Sequence, residues 1–426
     1  MFSGSRLIRV LRYPDFRLLW IGAFLSFTGS WIQNIAEGYY VFHITGDESK
    51  LAFVSFARNL PVLVLGLFAG SFSDQFNKRT VLIWTQVIFA VCGIYLAAAT
   101  YSGFITYLQI LFIAFLTGIV SSIEMPTRQS IVSRVVPIEE LSAAVPVNAM
   151  TFNVARIFGP ALGGLVLTWM GVAMCYLLNG LSFMALVWSA FMIKSDLGSG
   201  QTERSAIKDL VFEGALYTLR DVRLRTLFFL EILTAVFGLA YLPMLPAYIP
   251  EVLHLTSQSQ QKTGLATAYT AVGIGALFGL LLVTQLADSE RKGAIVQGSM
   301  LTMGIGLLVL SVVRIPLLGY IDLGVVGMAA IMQLNTTNAL FQILAPDRLR
   351  GRVLSMHIWA LNGLAPFGVL FFGWLAKLTK GNVVPSMVLP TGGVPLSLAV
   401  GSLAMTIGGL AALLSKKGLS NLTPNT

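Results

Sequence analysis

Glu37 and Arg58 are charges embedded in apolar stretches, and Arg58 is the only charge between Leu51 and Gly70. A carboxylate in hydrocarbon is costly, so it marks a candidate functional position by default. Ser26, Ser30, Gln33, Asn34 and Glu37 fall at i, i+4, i+7, i+8 and i+11, one stripe down a helix. Such a stripe faces either a wet cavity or neighbouring helices, since Ser and Asn also join spans by hydrogen bonds. Glu37 lies eight residues before Thr45, and Arg58 eight after Lys50. Two antiparallel helices turning at Asp47 and Glu48 put both charges roughly 12 Å from one loop. Equal depth predicts an ion pair. The Arg charge and desolvation act on the carboxyl in opposite senses, as a proton switch requires; the alternative is a static pair holding the hairpin.

Arg156 is a third embedded charge, and Gly159, Pro160 and Gly163 share its helical face. Small residues let helices approach and Pro kinks them, so this face serves as a tight seam or a bending gate. Glu231 lies in one terminal third of its apolar run, either as a second titrating site or snorkelling to the surface. The run Gln333, Asn335, Thr336, Thr337, Asn338 is either an inner-gate lining or a helix end bonded to its own backbone. Ser30, Gln33, Asn34, Asn153 and Asn362 are the candidate substrate-cavity residues. Cys92 and Cys175 both sit in apolar runs, and His43, His254 and His357 are scattered. No disulfide, metal or cofactor is expected.

The elements that must position these residues are membrane spans. The chain has 426 residues, 56% hydrophobic and 11% charged, against about 25% charged in a soluble domain. Apolar runs predict an all-α membrane protein with twelve transmembrane helices: 17–43, 51–72, 80–100, 105–124, 143–168, 171–193, 225–248, 263–287, 293–313, 317–340, 355–377 and 393–414. With the N-terminus inside, 21 of the 28 Lys and Arg residues fall in inner segments and 5 in outer ones. This favours both termini in the cytoplasm. The net charge of +9 is explained by that placement rather than by nucleic-acid binding. Residues 1–193 and 225–426 are read as six-helix halves. Residues 194–224 are read as a cytoplasmic linker, with Ile207, Leu210, Val211 and Ala215 on one face of an amphipathic helix. At an offset of 209, Thr127, Pro137, Asn153, Phe158, Gly159 and Gly164 meet Thr336, Pro346, Asn362, Phe367, Gly368 and Gly373. Repeated halves place a transporter's substrate site near mid-membrane.

The charged turn Gly70–Arg79, GSFSDQFNKR, resembles G-x-L-A-D-R-x-G-R-R, the loop between the second and third helices of major facilitator superfamily (MFS) transporters. Gly70, Asp74, Lys78 and Arg79 match. Asn77 replaces a Gly whose left-handed backbone it tolerates. The run ARIFGPALGG resembles the antiporter motif G-x-x-x-G-P-x-x-G-G through Gly159, Pro160, Gly163 and Gly164, with Ala155 in place of the first Gly. FRLLWIGAFLSFTGSWIQNIAEGYYVFHITG, PTRQSIVSRVVP, NAMTFNVARIFGPALGG and RGRVLSMHIWALNGLAPFGVLFFG are similar to the enterobactin-exporter and drug-efflux branch. The resemblance implies the MFS fold with pseudo-symmetric halves, alternating access and proton-driven export of a modest-sized organic molecule. It also implies that Asp74 helps hold the cytoplasmic gate shut. Some relatives carry Asp at Ser30, and the fourth span lacks the mid-helix Arg of other proton antiporters. Coupling is therefore assigned to Glu37, Arg58, Arg156 and Glu231 rather than carried over.

The expected activity is secondary transport, not enzymology: no Ser/His/Asp set, H-E-x-x-H or nucleotide loop is found. The alternatives are uptake or facilitated passage of a metabolite or lipid-like solute, and a transporter-like sensor without flux. The expected partners are a small-molecule substrate, protons and the lipid bilayer, with no nucleic acid, and the chain is expected to be monomeric in a bacterial inner membrane.

Overall fold

The computed structural model describes residues 9–198, 207–286, 289–346, 349–382 and 392–414. All regular structure among them is helical. In order, the helices are α1 (Pro14–Thr45), α2 (Glu48–Asp74), α3 (Lys78–Tyr101), α4 (Tyr107–Val132) and α5 (Leu141–Met192). They continue with α6 (Ile207–Arg220), α7 (Val222–Leu233), α8 (Tyr241–Glu251), α9 (Gln258–Gln285) and α10 (Lys292–Val312). The last are α11 (Pro316–Leu344), α12 (Arg350–Ile358), α13 (Leu364–Thr379) and α14 (Gly393–Leu414).

Nine described stretches are long and apolar enough to cross a membrane, and Ala143–Met192 is one of them. That stretch folds as two arms, because Gly171 breaks α5 at φ 82° and ψ −179°. Only glycine adopts such a backbone without strain. α1 falls outside the nine because its polar stripe dilutes its apolar content. Two others of the nine are interrupted: π-helical turns at Thr234–Gly238 and Trp359–Gly363 join α7 to α8 and α12 to α13. Trp84, Phe112 and Trp169 are 63%, 65% and 80% exposed. Apolar surface of this kind belongs against lipid.

Two compact units emerge. The first contains residues 1–44 and 57–203, the second 45–56 and 204–426. In the first, α1 is seated between the arms of α5. A Cβ on Gly163 would lie 2.9 Å from the Ile32 Cα, and one on Gly22 would lie 2.6 Å from Ser189 Oγ. Gly93 of α3 and Gly180 of α5 make an equally close crossing, 2.9 Å from a Cβ to the facing Cα. A buried cluster of Phe16, Leu19, Leu82, Ile131, Ala144 and Leu186 closes one end of this unit. In the second unit, α9 and α11 touch through Gly275, Gly279 and Gly327, each facing a backbone atom of the other helix. Backbone contact of this kind is how membrane helices gain packing energy without a hydrophobic drive between them.

α4 extends past the expected end of the fourth span. Residues 125–132 continue the helix through Pro126, so the loop expected at 125–142 begins only after Val132.

Candidate functional site

In the first unit, Arg58 of α2 donates through Nη2 to Oε1 of Glu37 on α1. The Glu37 side chain is 6% exposed and that of Arg58 24%. Gly118 of α4 fixes the depth of Arg58, because the Arg58 carbonyl occupies the space a Cβ would need. The second carboxylate oxygen of Glu37 is buried with no hydrogen-bond partner among the described residues. Such an atom is expensive unless it binds a proton or a ligand group.

The predicted stripe divides. Gln33 is buried and accepts from Asn179 Nδ2 at 2.7 Å, so it binds α1 to the second arm of α5. Ser30 donates to its own helix at Ser26 O, 2.9 Å away. Asn34 is exposed. Among these, Asn34 keeps free polar surface and Gln33 serves packing. Asn362 is exposed within the second π-helical turn, and the side chain of Asn153 lies outside the described residues.

A second charged group, missed by spacing, lies on α4 and α3. Arg128 Nε donates to Glu124 Oε1 at 2.9 Å, and Gln86 Nε2 approaches the same oxygen at 3.5 Å. The Arg128 guanidinium lies 4.5 Å from the Phe27 ring centroid, over the ring. All three polar residues are buried. The i, i+4 spacing of Glu124 and Arg128 was the available signal, masked because the fourth span was expected to end at 124.

In the second unit, Glu231 is fully buried, and His357 Nδ1 lies 2.9 Å from Glu231 Oε2. Glu231 therefore does not snorkel. The Phe341 ring sits 5.1 Å from the imidazole. The tip of the α1–α2 hairpin also belongs to this unit. There Lys377 donates to Asp47 at 2.6 Å, and Lys380 pairs with Glu48 and, at 2.8 Å, with Glu251. Burial works to raise the Asp47 pKa, but the Lys377 ammonium and the Ser49 hydroxyl prevail and hold it at about 2.

The charged turn is organised by Arg79, whose Nη2 donates to Ile193 O at 2.7 Å and Ser195 O at 3.1 Å. It thereby caps the carbonyl end of α5. Lys78 is buried, and its amide donates to Leu197 O at 2.9 Å. Asp15 completes the joint by accepting from the Ser195 hydroxyl and the amides of Lys194 and Ser195. Burial opposes these bonds, yet they keep the Asp15 pKa below the ordinary carboxylate range. Asn77 departs from expectation. Its backbone is extended, φ −61° and ψ 119°, and its side chain caps α3 by accepting from the amides of Arg79 and Thr80. The surroundings of Gly70 and the side chain of Asp74 lie outside what is described.

Arg156 is partly buried in the first arm of α5. On the face it shares, a Cβ on Gly159 would lie 2.5 Å from Trp31 Cβ, while Pro160 and Gly164 are buried. Gly368, the repeat counterpart of Gly159, meets the Val236 carbonyl in the first π-helical turn. Each glycine thus admits the first long span of its own half. Among the described residues no cluster of His, Cys, Asp and Glu could hold a metal ion.

The arrangement offers buried acid–base pairs, glycine-seated crossings and interrupted helices, the parts of an alternating-access carrier. The family described as transmembrane secretion effector matches residues 8–417. The staphyloferrin A transporter of Staphylococcus aureus is 27% identical over 367 residues, covering 84% of this chain and 88% of that protein. The multidrug efflux pump Tap of Mycolicibacterium fortuitum is 24% identical over 369 residues, with coverage of 84% and 88%. Among solved structures, a D-xylose–proton symporter superposes with a TM-score of 0.71 at 15% identity, over 98% of this chain and 99% of that one; this likeness speaks for the fold alone. From its sequence and its helical architecture, the chain is a multi-pass membrane protein of the transmembrane secretion effector family, on the exporter branch of the major facilitator superfamily.

Proposed function

We propose that this protein exports a modest-sized amphipathic organic molecule by alternating access, driven by protons. The observation that carries the reading is the Glu37–Arg58 pair. A carboxylate with one oxygen bound to a guanidinium and the other without a described partner is poised to trade its pairing for a proton. That trade changes the net charge of a buried site by one, which biases two conformations of similar free energy. Export is favoured over uptake by the likeness to Tap, a multidrug efflux pump, and the likeness to a staphyloferrin A transporter favours a polar organic cargo. In this reading residues 1–193 and 225–426 are the two moving halves and 194–224 their cytoplasmic linker. Both termini are cytoplasmic, the membrane is the bacterial inner membrane, and the monomer is the working unit. Asp74 with Lys78 and Arg79 steadies the inner gate. Arg156 and Asn34 contribute to the cargo cavity.

The test is transport by purified protein in proteoliposomes under an imposed pH gradient, against a panel of lipophilic cations, zwitterions and hydroxylated chelators. The expected result is gradient-dependent flux of at least one class, abolished by Glu37→Gln. Full proton-driven flux in Glu37→Gln overturns the coupling role.

A further inference from the structure

Glu231 and His357 are 126 residues apart in sequence and meet in the interior of the second unit. Their side chains are 0% and 6% exposed. The other carboxylate oxygen, Oε1, is buried and has no hydrogen-bond partner among the described residues. Each residue lies just before a π-helical turn, Glu231 three residues before Thr234 and His357 two before Trp359. The two turns pack against each other. A π-helical turn weakens the regular i to i+4 ladder and recurs at functional sites.

The pair's charge states can be ranked by elementary electrostatics. With no proton between them the pair carries −1, with one proton 0, with two +1. A net charge in a dry interior is heavily penalised. Other titratable groups on the packed elements are few. Both π-helical turns and α14 have none. α11 has Tyr320 and Asp322, both within its first two turns, and α6 has Tyr217. α6 carries Lys208, Asp209, Glu213 and Arg220; α12 carries Arg350 and Arg352, and α7 itself carries Arg223 and Arg225. The described hydrogen bond of Glu231 goes to His357.

We propose that Glu231 and His357 form a proton-binding site of the second unit, separate from Glu37–Arg58, which holds one proton while buried and exchanges it when the paired π-helical turns part. The chemistry differs from that of the first pair. There the partner is a permanent cation, so a proton displaces an ion pair. Here the proton is itself the bond between acid and base, and it leaves only when water reaches the site. Glu231 lies nine residues after Val222, about 13 Å along α7 from the linker end, so water enters from that end. The proposal rests on the transport reading above and assigns it a second proton site.

The test uses full-length protein in lipid nanodiscs, with 15N-labelled histidine followed by solid-state NMR from pH 5 to pH 9. The His357 signal is assigned by its loss in His357→Gln. Across that range the 15N signals of His357 change with pH differently in the wild type and in Glu231→Gln, because only in the wild type does the ring share a proton with a carboxylate. Glu231→Gln keeps the hydrogen bond and the neutral charge of the one-proton state, so it folds. His357→Gln supplies a second readout: the lone Glu231 takes the proton, and an infrared band of a buried carboxylic acid appears that is absent from the double variant. Identical His357 titration in wild type and Glu231→Gln overturns the proposal, as does the lack of any Glu231-dependent infrared band. Neither measurement depends on the cargo, so a failed flux assay counts against the transport reading and not against the site.

Discussion

Glu37–Arg58 and Glu231–His357 make the two units chemically unequal. Each places a buried glutamate on the first long span of its half, yet at opposite ends. Glu37 sits about 12 Å from the C-terminal end of α1, and Glu231 about 13 Å from the N-terminal end of α7. At the offset of 209 that relates the halves, Glu37 and Arg58 correspond to Pro246 and Thr267, and Glu231 and His357 to Gly22 and Asn148. Neither half carries the other's pair. The same holds on the fourth spans: Glu124 and Arg128 align with Gln333 and Thr337, whose side chains approach at 3.5 Å. The glycine seats repeat, with Gly159 against Trp31 and Gly368 against Val236. Duplicated scaffolds therefore keep their packing while their charged chemistry diverges, because packing is set by small residues at crossings and charge by single substitutions.

The largest expected effect breaks the first pair. Arg58→Ala strands a buried carboxylate and lowers stability by about 3 kcal/mol, the low end for buried pairs because Arg58 retains some exposure. The double change Glu37→Gln with Arg58→Gln recovers most of it. Thermal unfolding followed by tryptophan fluorescence reads both; a double variant no more stable than Arg58→Ala ends the partnership.

Next come the glycine seats beside each pair. Gly118→Ala and Gly368→Ala each press a methyl group on a facing carbonyl, costing about 1–3 kcal/mol. Gly118→Ala combined with Arg58→Ala should be less than additive, since both act on one residue, whereas Gly368→Ala combined with Arg58→Ala should add. The unfolding midpoints of the wild type, the three single variants and the two double variants decide this.

Arg58→His is smaller and converts the first pair into a likeness of the second. Only the protonated imidazole can pair with Glu37 as a cation, so this pair depends on pH where the guanidinium pair does not. Unfolding midpoints at pH 5.5 and 8.5 should differ in Arg58→His by more than in the wild type.

The smallest effect is at the hairpin tip. Asp47→Asn costs under about 1 kcal/mol, because Lys377 is 54% exposed and its pairing is screened. With its pKa held at about 2, Asp47 contributes its full stabilisation above the ordinary carboxylate value and loses it as pH falls toward 2. Between pH 5 and 8 the wild type and Asp47→Asn should keep a constant difference in midpoint, which shrinks only in strong acid.

Much of this organisation is legible in the sequence. Long apolar runs mark the spans, and equal distance from one short loop brings Glu37 to Arg58, since neighbouring helices convert sequence spacing into depth. Gly159 and Gly163 are readable as a crossing for the same local reason. His357 is not readable, because its partner lies 126 residues away and no periodicity connects them. Arg128 is hidden by Pro126, which sits inside α4 rather than ending it. The π-helical turns leave no pattern, as TAVFG and WALNG look like ordinary span residues. Gln33 looks like a cavity residue until it is seen to be buried and accepting from Asn179.

The hairpin tip has one more consequence, for time rather than equilibrium. Asp47 and Glu48 are adjacent, and their partners Lys377 and Lys380 lie three residues apart, at the end of α13 and just beyond it. Glu48 is 1% exposed, and Lys380 is shared with Glu251. Separating the tip means breaking both contacts together, and it leaves Glu48, 1% exposed, without its cation. In the transport cycle proposed above, that cost would fall on the path between conformations more than on either end, and the tip would act as a catch that lengthens dwell time. Reversing the charge of Lys380 should shorten those dwells more than it shifts the populations of the two states.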